Sequence, residues 1–207
     1  MGCKAVSISR TMGAGGEEVG RSVAAELGFR YVDNEIITQA AERAGVSPEV
    51  VEQNERTQPL LIRILDAIAK APMEPQAMMA QATNPVDLTS AYEDLIEQAI
   101  VETAQKGEVV IIAHGASIPL AGMSDLLRVL VTASESVRAD RIAEQDNLDQ
   151  KQALSKIQDS DRERRRYFER IYEQREELPT HYDLVLSTDV LTTEQAAQIA
   201  VAAARTL

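Results

Sequence analysis

The sequence predicts an α/β protein: a parallel sheet with helices on both faces. Three observations carry this. Short apolar runs alternate with helical patterns along the chain. One run, Val109-Val110-Ile111-Ile112-Ala113, is uninterrupted, as in a central parallel strand buried on both faces. The first run, Ala5-Val6-Ser7-Ile8, leads into a glycine-rich turn and then a helical pattern of Val19, Val23, Ala24 and Leu27 closed by Gly28.

In chain order, residues 4–9 are the expected first strand and 17–27 the first helix. Phe29-Arg30-Tyr31-Val32 is a short second strand ending at Asp33, and 35–44 a second helix. Ser47-Pro48-Glu49 starts another helix, with proline at the first helical position. From there to about residue 106 no strand is evident, and Pro59, Pro72, Pro75 and Pro85 divide the segment into helical pieces. Residues 47–90 are therefore expected to be a helical insertion. Its apolar stripe (Leu60, Leu61, Ile64, Leu65 and Ile68) and nearby methionines suggest a homodimer surface. A longer helix is expected over 88–106, with Leu95, Ile96, Ala99, Ile100 and Thr103 on one face. Strands at 109–113, 126–131 and 182–186 alternate with helices at 135–145, capped by Ser134, and 149–175. Thr192-Thr193-Glu194-Gln195 reads as a capping box opening the terminal helix.

The turn from Ser7 to Gly20 is the first candidate site. A strand, a glycine-rich turn and a helix start bring backbone N–H groups and the positive end of the helix together, where a phosphate fits. The match to G-x-x-x-x-G-K-[ST] is poor. With Gly15 as the second glycine, Arg10 stands at the first, Gly16 at the lysine and Glu17 at the Mg²⁺-binding hydroxyl. The alternative is a glycine-rich turn with no ligand. Asp33 and His114 both stand at carboxyl ends of strands, where open α/β sheets place their ligands. Asp33 could equally cap the next helix, and His114 could be satisfied by turn backbone. In the charged run 161–168, Arg162, Arg165 and Arg166 share a solvent face. Arg164 falls on an inward stripe with Asp161, Phe168 and Ile171, as either a structural pair or an anion clamp.

A net charge of −12 argues against a general nucleic-acid or acidic-membrane partner. The single cysteine, Cys3, leaves no intrachain disulfide and makes a thiolate metal site improbable; a reducing, cytoplasmic setting fits. No apolar run approaches the roughly 20 residues of a membrane span. The start lacks the apolar segment of a signal peptide. Met1-Gly2-Cys3 begins a myristoylation pattern, but Val6 occupies its Ser or Thr position.

Taken together, the motifs resemble the cytidylate kinase-like family of P-loop kinases. The resemblance is carried by Ile8-Ser9-Arg10, Gly13-Ala14-Gly15-Gly16, Tyr31-Val32-Asp33-Asn34-Glu35-Ile36-Ile37, and Val110-Ile111-Ile112-Ala113-His114-Gly115-Ala116. Glu135-x-x-Arg138-x-x-Arg141, Asp161-x-x-Arg164 before Tyr167, and Tyr182-Asp183-Leu184-Val185-Leu186-Ser187-Thr188 complete it in the family's order.

This resemblance implies one P-loop kinase-like domain over 1–207, with strand order 2-3-1-4-5. Residues 47–90 would be a nucleoside monophosphate-binding insertion and 149–176 a lid. It implies ATP and Mg²⁺ as cofactors and a nucleoside monophosphate or similar small molecule as acceptor. Arg10, Gly13, Ala14, Gly15, Gly16 and Glu17 would hold the donor phosphates, with Asp33 and His114 on the acceptor side. Asp161, Arg162, Arg164 and Arg165 would form the catalytic lid cluster. Three departures stand out: Gly16 for the P-loop lysine, Glu17 where relatives often carry a basic residue, and His114 where they carry arginine. Arg10, Arg21 and the lid arginines are the evident replacements for the missing cations.

Overall fold

A computed structural model describes residues 2–33, 35–36, 39, 43, 85–112, 115–174 and 177–207, as backbone only at 85–93 and 171. It divides into two compact units: Met1–Asp33 with Ala104–Leu207, and Asn34–Thr103. The Leu60–Ile68 stripe, the methionines after it and His114 lie outside the described residues.

The first unit is organised on β1 (Ala5–Arg10), which pairs in parallel with β3 (Val109–Ile112) on one side and β4 (Leu126–Thr132) on the other. Outside these lie β2 (Arg30–Val32) and β5 (Leu184–Ser187), giving the expected order β2-β3-β1-β4-β5. All four residues of β3 are fully buried, as an unbroken apolar run requires. The edge strand β5 instead alternates, with Leu186 buried and Val185 exposed.

Two helices cover one face: α1 (Gly16–Leu27) and the terminal helix, here α5 (Thr193–Thr206). Val19, Val23 and Ala24 of α1 meet Ala196, Ala197, Ala200, Val201 and Ala204 of α5 over Val6, Ile8, Val110, Ile112, Leu127 and Val129. The small alanines let α5 lie close to α1. Its start carries the predicted capping box: the Thr192 hydroxyl accepts from Gln195 N–H, and the Gln195 amide accepts from Thr192 N–H.

The remaining described helices are α2 (Pro85–Gln105), α3 (Glu135–Asp146) and α4 (Gln150–Tyr172). Helix α2 starts three residues before its expected position, with proline at its first position, so residues 85–90 are helix. Its buried Ile96, Ala99, Ile100 and Thr103 fall on the expected face. Helices α3 and α4 pack through Ala139, Ile142, Ala153 and Ile157. Ser134 precedes α3 but makes no capping hydrogen bond; its hydroxyl meets that of Ser136 instead. Asp149 caps α4 in a box with Gln152. Helix α4 serves the other face of the sheet: Arg164 reaches Ser9, and Ser9 and Ile8 project to opposite sides of β1.

Strand β5 begins two residues later than expected, because Asp183 turns aside to Arg128. Its carboxylate accepts from Arg128 N–H at 2.9 Å, Nε at 3.1 Å and Nη2 at 2.6 Å. These bonds hold the Asp183 carboxyl below its ordinary pKa, the side-chain hydrogen bond being the largest cause. A carboxyl with a depressed folded-state pKa contributes stability that is present above the unfolded value of about 4 and is lost as pH falls through the folded one. Asp183→Asn should therefore lower Tm at neutral pH, and the two melting curves should converge in acid. A gap that persists unchanged at low pH contradicts the pairing.

Candidate functional site

The glycine turn lies at the carboxyl end of the central strand. Strand β1 ends at Arg10, one residue later than expected, and α1 begins at Gly16, one residue earlier. The loop between is tied down by Thr11 N–H to Val131 O at 3.2 Å and closed by Ala14 N–H to Thr11 O at 3.1 Å. Gly13 and Gly15 adopt φ of +81° and +77°, a region that side-chain-bearing residues rarely visit. A Cβ on Gly13 would lie 2.8 Å from the Arg138 carbonyl oxygen, and one on Gly15 2.6 Å from Thr193 Cγ2. No side chain caps the start of α1, so its first N–H groups remain available.

Three successive loop carbonyls are held from outside. Arg138 Nη1 donates to Met12 O at 3.3 Å. Arg141 Nη1 donates to Gly13 O at 3.3 Å. The Thr188 hydroxyl donates to Ala14 O at 2.9 Å. Arg141 also donates to the Thr188 hydroxyl at 2.9 Å and the Thr188 carbonyl at 2.7 Å. Arg138, only 6% exposed, is anchored by a fork to Asp161 at 3.0 and 2.7 Å.

On the other side of the loop, Glu17 turns onto Arg10. Its carboxylate accepts from Arg10 Nε at 2.7 Å and is ion-paired with Nη2. The acid beside the turn is thus neutralised by the neighbouring arginine. Arg21 lies over the Tyr31 ring, 5.2 Å from its centroid. Burial raises the Asp33 carboxyl above its ordinary pKa; Arg10 and Arg21 pull it down and Glu17 pushes it up. Arg10, Glu17 and Arg21 therefore lie near enough to Asp33 for their charges to act on its carboxyl.

The lid cluster differs from expectation. Asp161 does not pair with Arg164, because Arg138 of α3 takes both its oxygens. Arg164 instead forks onto Glu177, with both bonds at 2.6 Å, and donates to Ser9 Oγ at 3.3 Å. It stacks on Phe168 at 5.1 Å, and Glu177 also accepts from the Tyr182 hydroxyl. Arg162 pairs with Asp159 on the surface, and Arg165 and Arg166 are exposed. Helix spacing separates inward from outward arginines correctly, but it cannot name a partner on another element.

A cavity of about 390 Å³ opens beside the turn, lined by Gly15, Glu18, Arg141 and residues 188–193. Sequence reasoning missed this wall and the roles of Arg138, Arg141, Thr188 and Glu177. The i, i+3 spacing of Arg138 and Arg141 was visible, but it reads as charged turns of a surface helix until the loop is seen behind it. Among the described residues no group of three or more His, Cys, Asp or Glu side chains could hold a metal by itself, and no helix is long and apolar enough to cross a membrane.

Comparison with known proteins agrees with this geometry. A model of the cytidylate kinase-like family matches residues 5–190. A cytidylate kinase from Ignicoccus hospitalis is 31% identical over 153 residues, which cover 73% of this chain and 70% of that protein. Among solved structures, an uncharacterized protein from Eubacterium ventriosum aligns at TM-score 0.61 and 17% identity, over 96% of both chains. A shikimate kinase from Bacteroides thetaiotaomicron aligns at TM-score 0.51 and 14% identity, over 96% of this chain and 94% of that one. At those identities the structural matches speak for the fold, which is that of P-loop kinases. The family model and the sequence relative go further: the chain belongs to the cytidylate kinase-like family.

Proposed function

We propose that the chain is a nucleotide-dependent phosphotransferase that moves the γ-phosphoryl group of ATP to a nucleoside monophosphate or similar small acceptor. The observation that carries this reading is the loop: two left-handed glycines whose N–H groups have no acceptor among the described residues, leading into an uncapped helix start. Arg10 and the first N–H groups of α1 bind the donor phosphates. The base and ribose take the cavity walled by residues 188–193.

Side chains are refused at Gly13 and Gly15 by Arg138 and Thr193 and by their left-handed backbone, so only glycine keeps the loop in this shape. Mg²⁺ is commonly held by one or two carboxylates together with phosphates; Asp33 would be such a ligand, joined by Glu17 only once it leaves Arg10. The ion would neutralise charge between donor and acceptor. Arg162 and Arg165, exposed on α4, and Arg164, which would have to leave Glu177, are the cations offered to the transferring phosphoryl group, and Asp161 holds Arg138 against the loop. Catalysis of this kind is positioning and charge neutralisation, with little covalent chemistry for the protein.

A second reading, a nucleotide- or anion-binding regulator with weak or no turnover, is favoured by Gly16 in the lysine position and by Glu17 occupying Arg10. Coupled ATP turnover measured across the nucleoside monophosphates, with thermal shifts in parallel, decides between them. Acceptor-dependent ADP release supports the enzyme. Nucleotide-dependent stabilisation without turnover supports the regulator.

A further inference from the structure

The external bonds to the loop have a directional consequence. A peptide unit is planar and trans, so its C=O and N–H point in opposite directions. Drawing the carbonyls of Met12, Gly13 and Ala14 toward Arg138, Arg141 and Thr188 turns the N–H groups of Gly13, Ala14 and Gly15 to the far side. Ala14 N–H is used within the turn, on Thr11 O. Gly13 and Gly15 N–H have no acceptor among the described residues.

Charge follows the same arrangement. Two guanidinium groups stand behind a loop whose lysine position is Gly16. Asp161 compensates Arg138. Arg141 has no ion-pair partner among the described residues, and it borders the cavity beside Gly15. Glu18 and Asp189 line the same cavity without pairing with it, and, part-buried, that charge is screened less than one in open water.

We infer that Arg138, Arg141 and Thr188 are positioning residues that substitute from behind for the missing P-loop lysine. They fix the loop carbonyls rearward, hold the N–H groups of Gly13 and Gly15 toward the phosphates, and bring the positive charge of Arg141 to the site. This rests on the reading above that the loop takes a polyphosphate. It goes beyond that reading by naming what shapes the loop and supplies its charge.

The hydroxyl of Thr188 is the most selective handle, because it donates to Ala14 O and accepts from Arg141. Thr188→Val removes both bonds, and a longer one to Thr132 O at 3.4 Å, with little change of shape; Thr188→Ser keeps them. Arg141→Lys keeps the charge and loses the fork. Each protein is titrated with tripolyphosphate and MgATP by calorimetry, and hydrogen exchange of the Ala14 amide, the one of the three with an acceptor among the described residues, is followed without ligand. Thr188→Val and Arg141→Lys should each weaken tripolyphosphate on the order of tenfold and speed exchange in the loop, while Thr188→Ser stays within about twofold of wild type. A folded Thr188→Val protein with wild-type affinity and wild-type exchange overturns the inference and leaves the phosphate reading standing. If Thr188→Val does not fold, Arg141→Lys decides by the same two measurements. If the wild type binds no polyphosphate, the phosphate reading falls and the lysine-substituting role with it. Exchange that still responds to Thr188→Val would then mark the contacts as loop-ordering alone.

Discussion

Gly15→Val should abolish nucleotide and polyphosphate binding while leaving the chain folded. Gly15 sits at φ +77°, where a β-branched residue is a steric outlier, and its Cβ would lie 2.6 Å from Thr193 Cγ2. The backbone must move out of the left-handed region, and the N–H directed at the phosphate moves with it. Loss of one donor to a charged group costs about 10- to 100-fold in affinity, and the displaced backbone takes neighbouring donors with it. The strain should cost about 1–3 kcal/mol of stability. Gly122→Ala is the matched control, since a Cβ there meets nothing within 4 Å. Calorimetry with MgATP on both variants checks this; equal affinity in Gly15→Val and wild type refutes it.

Arg164→Leu should be among the most destabilising single changes in the chain. Arg164 and Glu177 are 18% and 16% exposed at their side chains and share a two-bond fork. Removing the guanidinium strands a mostly buried carboxylate, which costs about 3–5 kcal/mol when a buried pair is broken. In a chain of this size each kcal/mol is about 2–4 °C in Tm, so the drop should be on the order of 10 °C. The double variant Arg164→Leu/Glu177→Leu should regain most of that loss, because no charge is left unpaired. Additive losses in the double variant would refute the pair. Arg164→Lys separates pairing from catalysis. If the fork also serves a phosphoryl group, turnover falls well beyond what the lowered stability explains. If Arg164 serves only Glu177, Tm falls and turnover of the folded protein stays unchanged.

The sheet was legible because its signals are local and redundant. The run 109–113 is apolar without interruption, and only a strand buried on both faces needs that. Gly15 and Gly28 bracket the first helix, with left-handed backbone at both. The Thr192-to-Gln195 capping box reads directly from residue types at fixed spacing. Strand order and the location of the phosphate-type turn followed from the resemblance together with these elements.

The site's inner wiring was not legible, for a physical reason. Arg138 and Asp161 are 23 residues apart, Arg141 and Thr188 47, and Arg164 and Ser9 155. Helix periodicity ranks which side of a helix faces inward; it does not say which other element arrives there. Arg164 was therefore correctly turned inward but given a neighbour on its own helix. The true partner, Glu177, lies past the end of α4 in a segment with no periodic pattern. Ser134 shows the converse: the right residue type at a helix start, with its hydroxyl used elsewhere.

The central claim is that the turn from Arg10 to Glu17 holds nucleotide phosphates. A crystal structure of the chain with a nonhydrolysable ATP analogue, Mg²⁺ and CMP tests it most directly. The account predicts phosphate oxygens within hydrogen-bond distance of the N–H groups of Gly13, Gly15 and the first turn of α1, the base in the cavity beside residues 188–193, and Arg10 turned from Glu17 toward phosphate. Nucleotide bound elsewhere, with the turn empty and the Arg10–Glu17 pair intact, would contradict it.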